Sequence, residues 1–317
     1  MIERGPVTSV IRERQVSGSQ PGYRQDNFKI GAVIEGGCMR GAVSGGETLG
    51  LCALGLLPAF DAIYGVSAGA AAGSYLIAQQ AEAVSIYFEN VNNEFFFDLR
   101  RILIGQPAVD ISYLTHTVMK EIRTLDWKKV ITSPISLHIF VTSATDAKSV
   151  DLTKFSSQEE LLFAIHCSCR MPIIAGKPLQ VAENIHYTDG GVSTGGGLAL
   201  EEAIADGCTH LLVLQSKPDQ ASYQAKPGAM ELLAYLLLKP EYPALARAVM
   251  KIKGRYARNC EKIKSAETNP GLYPQAIEGV RVPAGTPEVA MFETNKRRLV
   301  AGAQAGKRAL LSKFGRK

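Results

Sequence analysis

The feature that most constrains this chain is a pair of short apolar runs, each cut off by glycine and each followed by a small-residue stretch. Residues 28–34 read as a buried strand ending abruptly at Glu35-Gly36-Gly37. A helix is expected over about 40–57, stopped by Pro58. Residues 60–65 form a second strand, and an alanine-rich helix runs from Ser67 to about Gln80. Strand, helix, strand, helix at this spacing buries its apolar faces as βαβ crossovers in a parallel sheet.

The same alternation continues. Residues 83–130 read as helical and loop-rich, 135–142 as a strand and 149–155 as a weaker one. Ser157, with Glu160 three residues on, has the form of a capping box and starts a helix that Pro172 ends. Short strands around 179–181 and 186–188 lead to Asp189-Gly190-Gly191. A helix over 198–205 and an apolar strand over 210–215 complete the sheet. After Pro218 the pattern turns helical, broken at Pro240 and Pro243, with an extended stretch near 280–282 and a basic final helix. The expected organisation is a polar leader with little to pack (1–27), an α/β domain (28–218) and a mainly helical extension ending in a basic tail (219–317).

With 46% hydrophobic and 21% charged residues, the chain can bury a sizeable core, which excludes wholesale disorder. A net charge of +5 is too mild to argue for nucleic acid as a partner. The excess is concentrated in residues 293–317, with eight Lys or Arg against one acid. Together with Leu299, Val300, Ala303, Leu310 and Leu311, these residues can form a basic amphipathic helix that rests loosely on an anionic membrane. The competing reading packs those leucines on the core. The six cysteines (38, 52, 167, 169, 208, 260) contain no CxxC pair and read as free thiols in a reducing compartment, with no metal site and no cofactor. The start of the chain has no signal-peptide core, and glycine, serine and glutamine interrupt the apolar window 62–81. A soluble, cytoplasmic protein is expected, loosely peripheral to a membrane if the basic tail engages one.

Three motifs carry chemistry. Gly65-Val66-Ser67-Ala68-Gly69 lies between a strand and a helix, the context of a nucleophile elbow that exposes its serine on a strained turn. Glu35-Gly36-Gly37-Cys38-Met39-Arg40-Gly41 follows the first strand, and its consecutive glycines leave backbone N–H groups to face developing negative charge. It is not a dinucleotide fingerprint, because Cys38 occupies the position of the second glycine. It is not a P-loop either, because the Lys-Ser/Thr pair is missing. The third motif, Asp189-Gly190-Gly191, would by itself be only a turn.

In this order and spacing the three motifs resemble the patatin-like phospholipase family, over roughly residues 28–218. The resemblance implies a three-layer α/β/α fold with a central, mainly parallel sheet, and action on the acyl esters of lipids. It implies a Ser-Asp dyad, with Ser67 as nucleophile and Asp189 as base, and an oxyanion hole from the amides of Gly36, Gly37 and Cys38. Arg40, Gly41, Gly65, Gly69, Gly190 and Gly191 support the motifs. The chain departs from the family in having Glu35 where Asp is common, Cys38 in place of a third glycine, and Ser193-Thr194-Gly195-Gly196-Gly197 where a proline-containing loop is frequent. A cysteine at 38 is expected to preserve the backbone donors only at negative φ. The alternative is a catalytically weak or inactive lipid-binding protein on the same fold.

Phe95-Phe96-Phe97, with Tyr87 and Phe88, are candidates for an acyl groove, although aromatics so spaced more often build core. Of the five histidines only His210 follows Asp189, and it opens an apolar strand. An α/β-hydrolase triad, ordered Ser, Asp/Glu, His, therefore has no histidine in place.

Overall fold

The computed structural model describes residues 5–220 and 223–315; Arg316 and Lys317 of the basic tail and residues 1–4 of the leader lie outside the described residues. The strands are β1 (Ile30–Ile34), β2 (Ala62–Gly65), β3 (Ser136–Ser143), β4 (Ser149–Leu152), β5 (Leu179–Ala182), β6 (Ile185–Asp189), β7 (His210–Leu214) and β8 (Ala276–Val280). The α-helices are α1 (Val7–Ser17), α2 (Gly41–Ala53), α3 (Ala68–Ile77), α4 (Ile86–Glu89), α5 (Trp127–Ile131), α6 (Gln158–Cys169), α7 (Leu200–Ala205), α8 (Ala229–Leu238), α9 (Pro243–Val249), α10 (Ile252–Thr268) and α11 (Lys296–Lys313).

The sheet order is β5-β6-β3-β2-β1-β7-β8, with β4 paired to β3 off that path. β3, β2, β1, β7 and β8 are successive parallel neighbours, whereas β4 and β6 run antiparallel to β3. β1, β2 and β7 are buried along their whole length, which is why each reads as an unbroken apolar run. Alternate side chains feed two cores. Ile30, Ile34, Ile63, Ile139 and Leu212 face α2, α3, α6 and α11, while Val33, Tyr64, Phe140, Leu211 and Val213 face α7 and α10. The result is a three-layer α/β/α architecture.

Two stretches differ from expectation. The leader does pack: α1 buries Val7, Val10 and Ile11, and the Arg14 guanidinium is buried with them. That guanidinium bonds to Asp26 (2.6 Å), Asp61 (2.7 Å) and the carbonyls of Ala59 and Phe28. A buried arginine costs little when two carboxylates and two carbonyls take its donors, and composition alone hides such a network. The C-terminal region is also integrated into the core. β8 adds an edge strand beside β7, and α11 lies along α2.

The contact between α2 and α11 is made backbone on backbone. A Cβ on Gly46 would stand 2.0 Å from the Ala303 carbonyl oxygen, and one on Gly306 would stand 2.1 Å from that of Val43. Leu299 and Leu310 are fully buried there. Two of the tail's leucines, Leu299 and Leu310, therefore pack on the core, while Leu311 is half-buried. Among the described residues no helix is long and apolar enough to cross one.

Gly46→Ala and Gly306→Ala are each expected to destabilise the fold by about 3 kcal/mol, since neither helix backbone can yield 1 Å cheaply. The control is Gly254→Ala on α10, where the nearest atom to a new Cβ would be 3.6 Å away. That change should be neutral or stabilising by about 0.5–1 kcal/mol. Chemical denaturation of the three variants beside the parent chain measures the difference.

Candidate active site

Parallel pairing of Ile34 with Gly65 brings the C-terminal ends of β1 and β2 side by side. Gly65 pairs with Ile139 on β3, and Val141, two residues further on, pairs with Asp189 of β6. Ser67, two residues past Gly65, and Asp189 therefore arrive at the same level of the sheet. Sheet register, rather than sequence proximity, makes them neighbours.

Ser67 sits at φ 54°, ψ −124°, outside the conformations a serine adopts freely. Two contacts hold it there. Its N–H donates to Ser168 Oγ (2.8 Å), and that hydroxyl donates to the Phe140 carbonyl (2.7 Å). Behind it α3 begins at Ala68, with the Ala70 and Ala71 N–H groups donating to the Ser67 carbonyl. Gly69 lies so close to β1 that a Cβ would stand 2.1 Å from the Ile34 carbonyl oxygen. Tyr87, whose hydroxyl donates to the Ala68 carbonyl (3.3 Å), packs against Gly41 and ties the two motifs together.

Asp189 is buried, and desolvation pushes its carboxyl up to about 7, against the opposing pull of the Gly191 amide and the Ser67 hydroxyl. The Gly191 N–H donates to Asp189 Oδ1 at 2.7 Å. The Ser67 hydroxyl faces the same carboxylate. Cys169 also lies beside the Ser67 hydroxyl, and burial keeps its thiol protonated by pushing its pKa up. Burial likewise pushes the Cys38 thiol up to about 12, so neither sulfur is a thiolate near neutral pH.

Of the three amides in the glycine-rich turn after β1, one is already bonded within the protein. The Gly36 N–H donates to the Gly197 carbonyl (3.1 Å). The Gly37 and Cys38 amides donate to no acceptor among the described residues. Gly37 has φ 145° and Cys38 has φ 55°, so the negative φ on which the Cys38 donor is expected to depend is not adopted, yet its amide stays unbonded among these residues. Cys38 thus holds the left-handed conformation of the glycine it replaces, at a cost of about 1 kcal/mol. Arg40 is buried with its guanidinium laid against Gly37, where a Cβ would stand 2.8 Å from Nε. Below the turn, buried Glu35 accepts from the Ser216 N–H (2.7 Å), tying the end of β1 to the end of β7.

Ser67, Asp189, Gly36, Gly37, Cys38, Arg40 and Gly191 all border one cavity of about 440 Å³. Its walls are largely apolar, with Tyr87, Phe96, Ile111, Leu114, Met171 and Leu233 among them. Of the aromatic candidates, Tyr87 and Phe96 reach it. Phe95 is exposed instead, and Phe97 stacks on Phe292 (4.8 Å). None of the five histidines borders it. His210 stands at the opposite, N-terminal end of β7 against Phe28. Among the described residues no group of His, Cys, Asp or Glu is arranged to hold a metal ion. Local patterns do not reveal Ser168, Cys169, Gly197, Lys217 or Tyr256. Lys217 lines the cavity with Nζ 3.9 Å from the Tyr256 ring centre, and burial lowers its pKa.

A family model described as patatin-like phospholipase matches residues 32–199. The omega-hydroxyceramide transacylase of Homo sapiens is 27% identical over 39% of this chain, and that of Mus musculus 25% identical over 40%. The aligned segment spans 24% and 21% of those relatives, so the chain accounts for under a quarter of their length. The crystal structure of VipD from Legionella pneumophila superposes with a TM-score of 0.52 at 12% identity, over 95% of this chain and 73% of that one.

The raised pKa of Asp189 has a consequence for stability. The folded state holds the proton more tightly than the unfolded chain, so stability is full near pH 4, falls as pH rises toward about 7, and then levels off. Asp189→Asn keeps the acceptor for Gly191 and removes the buried charge. It should stabilise the protein by about 2–4 kcal/mol at pH 8 and by almost nothing at pH 4. Unfolding curves at the two pH values decide it.

Proposed function

The chain belongs to the patatin-like phospholipase family, and from that premise we propose that it is a serine acyl hydrolase that cleaves lipid esters with a Ser67–Asp189 dyad. The observation that carries the reading is a serine on a strained elbow, facing a buried carboxylate raised to about 7, at the wall of an apolar cavity. A base is most effective when its pKa lies near the working pH, and an ordinary aspartate is too weak to take a hydroxyl proton.

In this mechanism Ser67 Oγ attacks the ester carbonyl as its proton passes to Asp189. The electron pair moves onto the carbonyl oxygen, which the Gly37 and Cys38 amides receive. Collapse of the tetrahedral intermediate breaks the bond to the leaving alcohol, and Asp189 returns the proton to that alcohol. A water then gives its proton to Asp189 and attacks the acyl-serine. The proton returns to Ser67 as the fatty acid departs. Lipid acyl chains suit the cavity because its walls offer apolar contact along most of their area.

A second reading keeps the acyl-serine and changes the acceptor. The curated relatives are named as transacylases, and an alcohol in place of water at the second step would make this chain one too. Adding a long-chain alcohol to a lipid ester assay separates the readings. A new ester in the mass spectrum favours transfer, and free fatty acid alone favours hydrolysis.

Ser67→Ala and Asp189→Asn should each lower ester hydrolysis by about 10³-fold or more, while His210→Gln in a folded protein keeps most of it. A fluorophosphonate probe should label the parent chain and not Ser67→Ala. Because the base must be ionised, kcat/KM should rise about tenfold per pH unit below about 7 and flatten above it. Labelling that survives Ser67→Ala would remove the Ser67 assignment, and a folded protein that neither labels nor hydrolyses an ester would return the chain to the class of inactive lipid binders.

A further inference from the structure

Soluble proteins rarely leave a helix apolar on its outer side, yet α8, with the sequence Ala-Met-Glu-Leu-Leu-Ala-Tyr-Leu-Leu-Leu, does so. Its inner side is accounted for: Leu238 packs with Tyr242, Leu245 and Val249. On the outside Leu236 and Leu237 are 58% and 57% exposed, and Leu232 is half exposed. Between these two sides, Met230 and Leu233 are more than half exposed while also bordering the catalytic cavity. The outer surface of α8 is therefore continuous with the wall along which an acyl chain would lie.

Charge tells what covers this surface. The single acid of α8, Glu231, is turned inward, accepting from the Gly228 N–H (2.7 Å) and pairing with Lys253 (3.1 Å). Lys226 before the helix and Lys239 at its end are exposed and, among the described residues, form no ion pair. An apolar helix bracketed by cations is built for the boundary between acyl chains and anionic headgroups, where leucines enter and lysines stay at headgroup level. A second copy of the chain fits less well. Parallel or antiparallel, two such helices would set lysine against lysine at both ends. A second exposed segment, Leu99–Ile104, carries exposed Leu103 and Ile104 beside Arg100 and Arg101.

We propose that α8 docks the protein on the surface of an anionic phospholipid bilayer and so presents the cavity to lipid acyl chains. The inference rests on reading that cavity as the acyl site. It places the membrane-facing surface on the helix beside the catalytic cavity rather than on the basic tail, where Leu299 and Leu310 are buried.

The test uses the full chain carrying Ser67→Ala, so that binding is measured without turnover, in flotation with phosphatidylcholine vesicles with and without phosphatidylglycerol. The protein should float with the anionic vesicles and more weakly with phosphatidylcholine alone. Leu232→Gln/Leu236→Gln/Leu237→Gln should weaken vesicle binding by about tenfold or more. Lys226→Gln/Lys239→Gln should erase the anionic preference. In the Ser67 background the triple leucine variant should hydrolyse a soluble short-chain p-nitrophenyl ester like the parent. The proposal is overturned if the triple variant floats unchanged, if the parent ignores anionic vesicles, or if the parent is a dimer that the triple variant converts to monomer. Flotation without ester hydrolysis would count against the catalytic reading alone, and hydrolysis without flotation against the docking alone.

Discussion

Everything around the cavity depends on how closely three stretches of backbone approach one another at the C-terminal ends of β1 and β2. Gly69 lies on the Ile34 carbonyl, Gly36 on the Val66 carbonyl and Gly190 on the Phe140 carbonyl, at distances that leave no room for a Cβ. The first two contacts join the elbow to the glycine-rich turn, and the third seats the Asp-Gly-Gly turn on β3 beside Val66, so the three motifs are packed as one unit. Side chains could not achieve this, because a methyl group at any of the three positions would push the packed stretches apart. Ser168 completes the unit from below by bonding both the elbow and β3.

The same compaction sets the electrostatics. Closing three turns over Asp189 removes water from its carboxylate, and only the Gly191 amide and the Ser67 hydroxyl offset the loss. A carboxylate left so poorly solvated is a liability for stability and an asset for general-base chemistry. The strain at Ser67 and at Cys38 belongs with it: two left-handed residues are held in place because the surrounding packing over-determines them.

Away from the site, the C-terminal third does two different things. β8 and α11 extend the core, with α11 held to α2 by glycine contacts and buried leucines. α8 spends only part of its apolar surface on the body of the protein and leaves the rest beside the cavity. α11 reads as amphipathic in the sequence, and α8 is built mostly of apolar residues. The structure separates a helix whose apolar face is satisfied from one whose face is not.

What the sequence by itself determined was local: buried strands as unbroken apolar runs, turns where glycine interrupts them, helices where small residues follow, and the serine and aspartate of the motifs. Such features are legible because strand burial, turn geometry and helix starts are decided within a few residues. The packing of α1 was not legible, because Arg14 is buried only by virtue of Asp26 and Asp61, which the fold brings to it. The loss of the Gly36 donor to Gly197 was equally hidden, since those residues meet only once the loop after Asp189 folds back over β1. Tertiary structure alone decided which amides stay free, how far Asp189 is desolvated and which apolar helix remains uncovered. Each depends on contacts between segments far apart in the chain, and no local pattern records a contact that has yet to form.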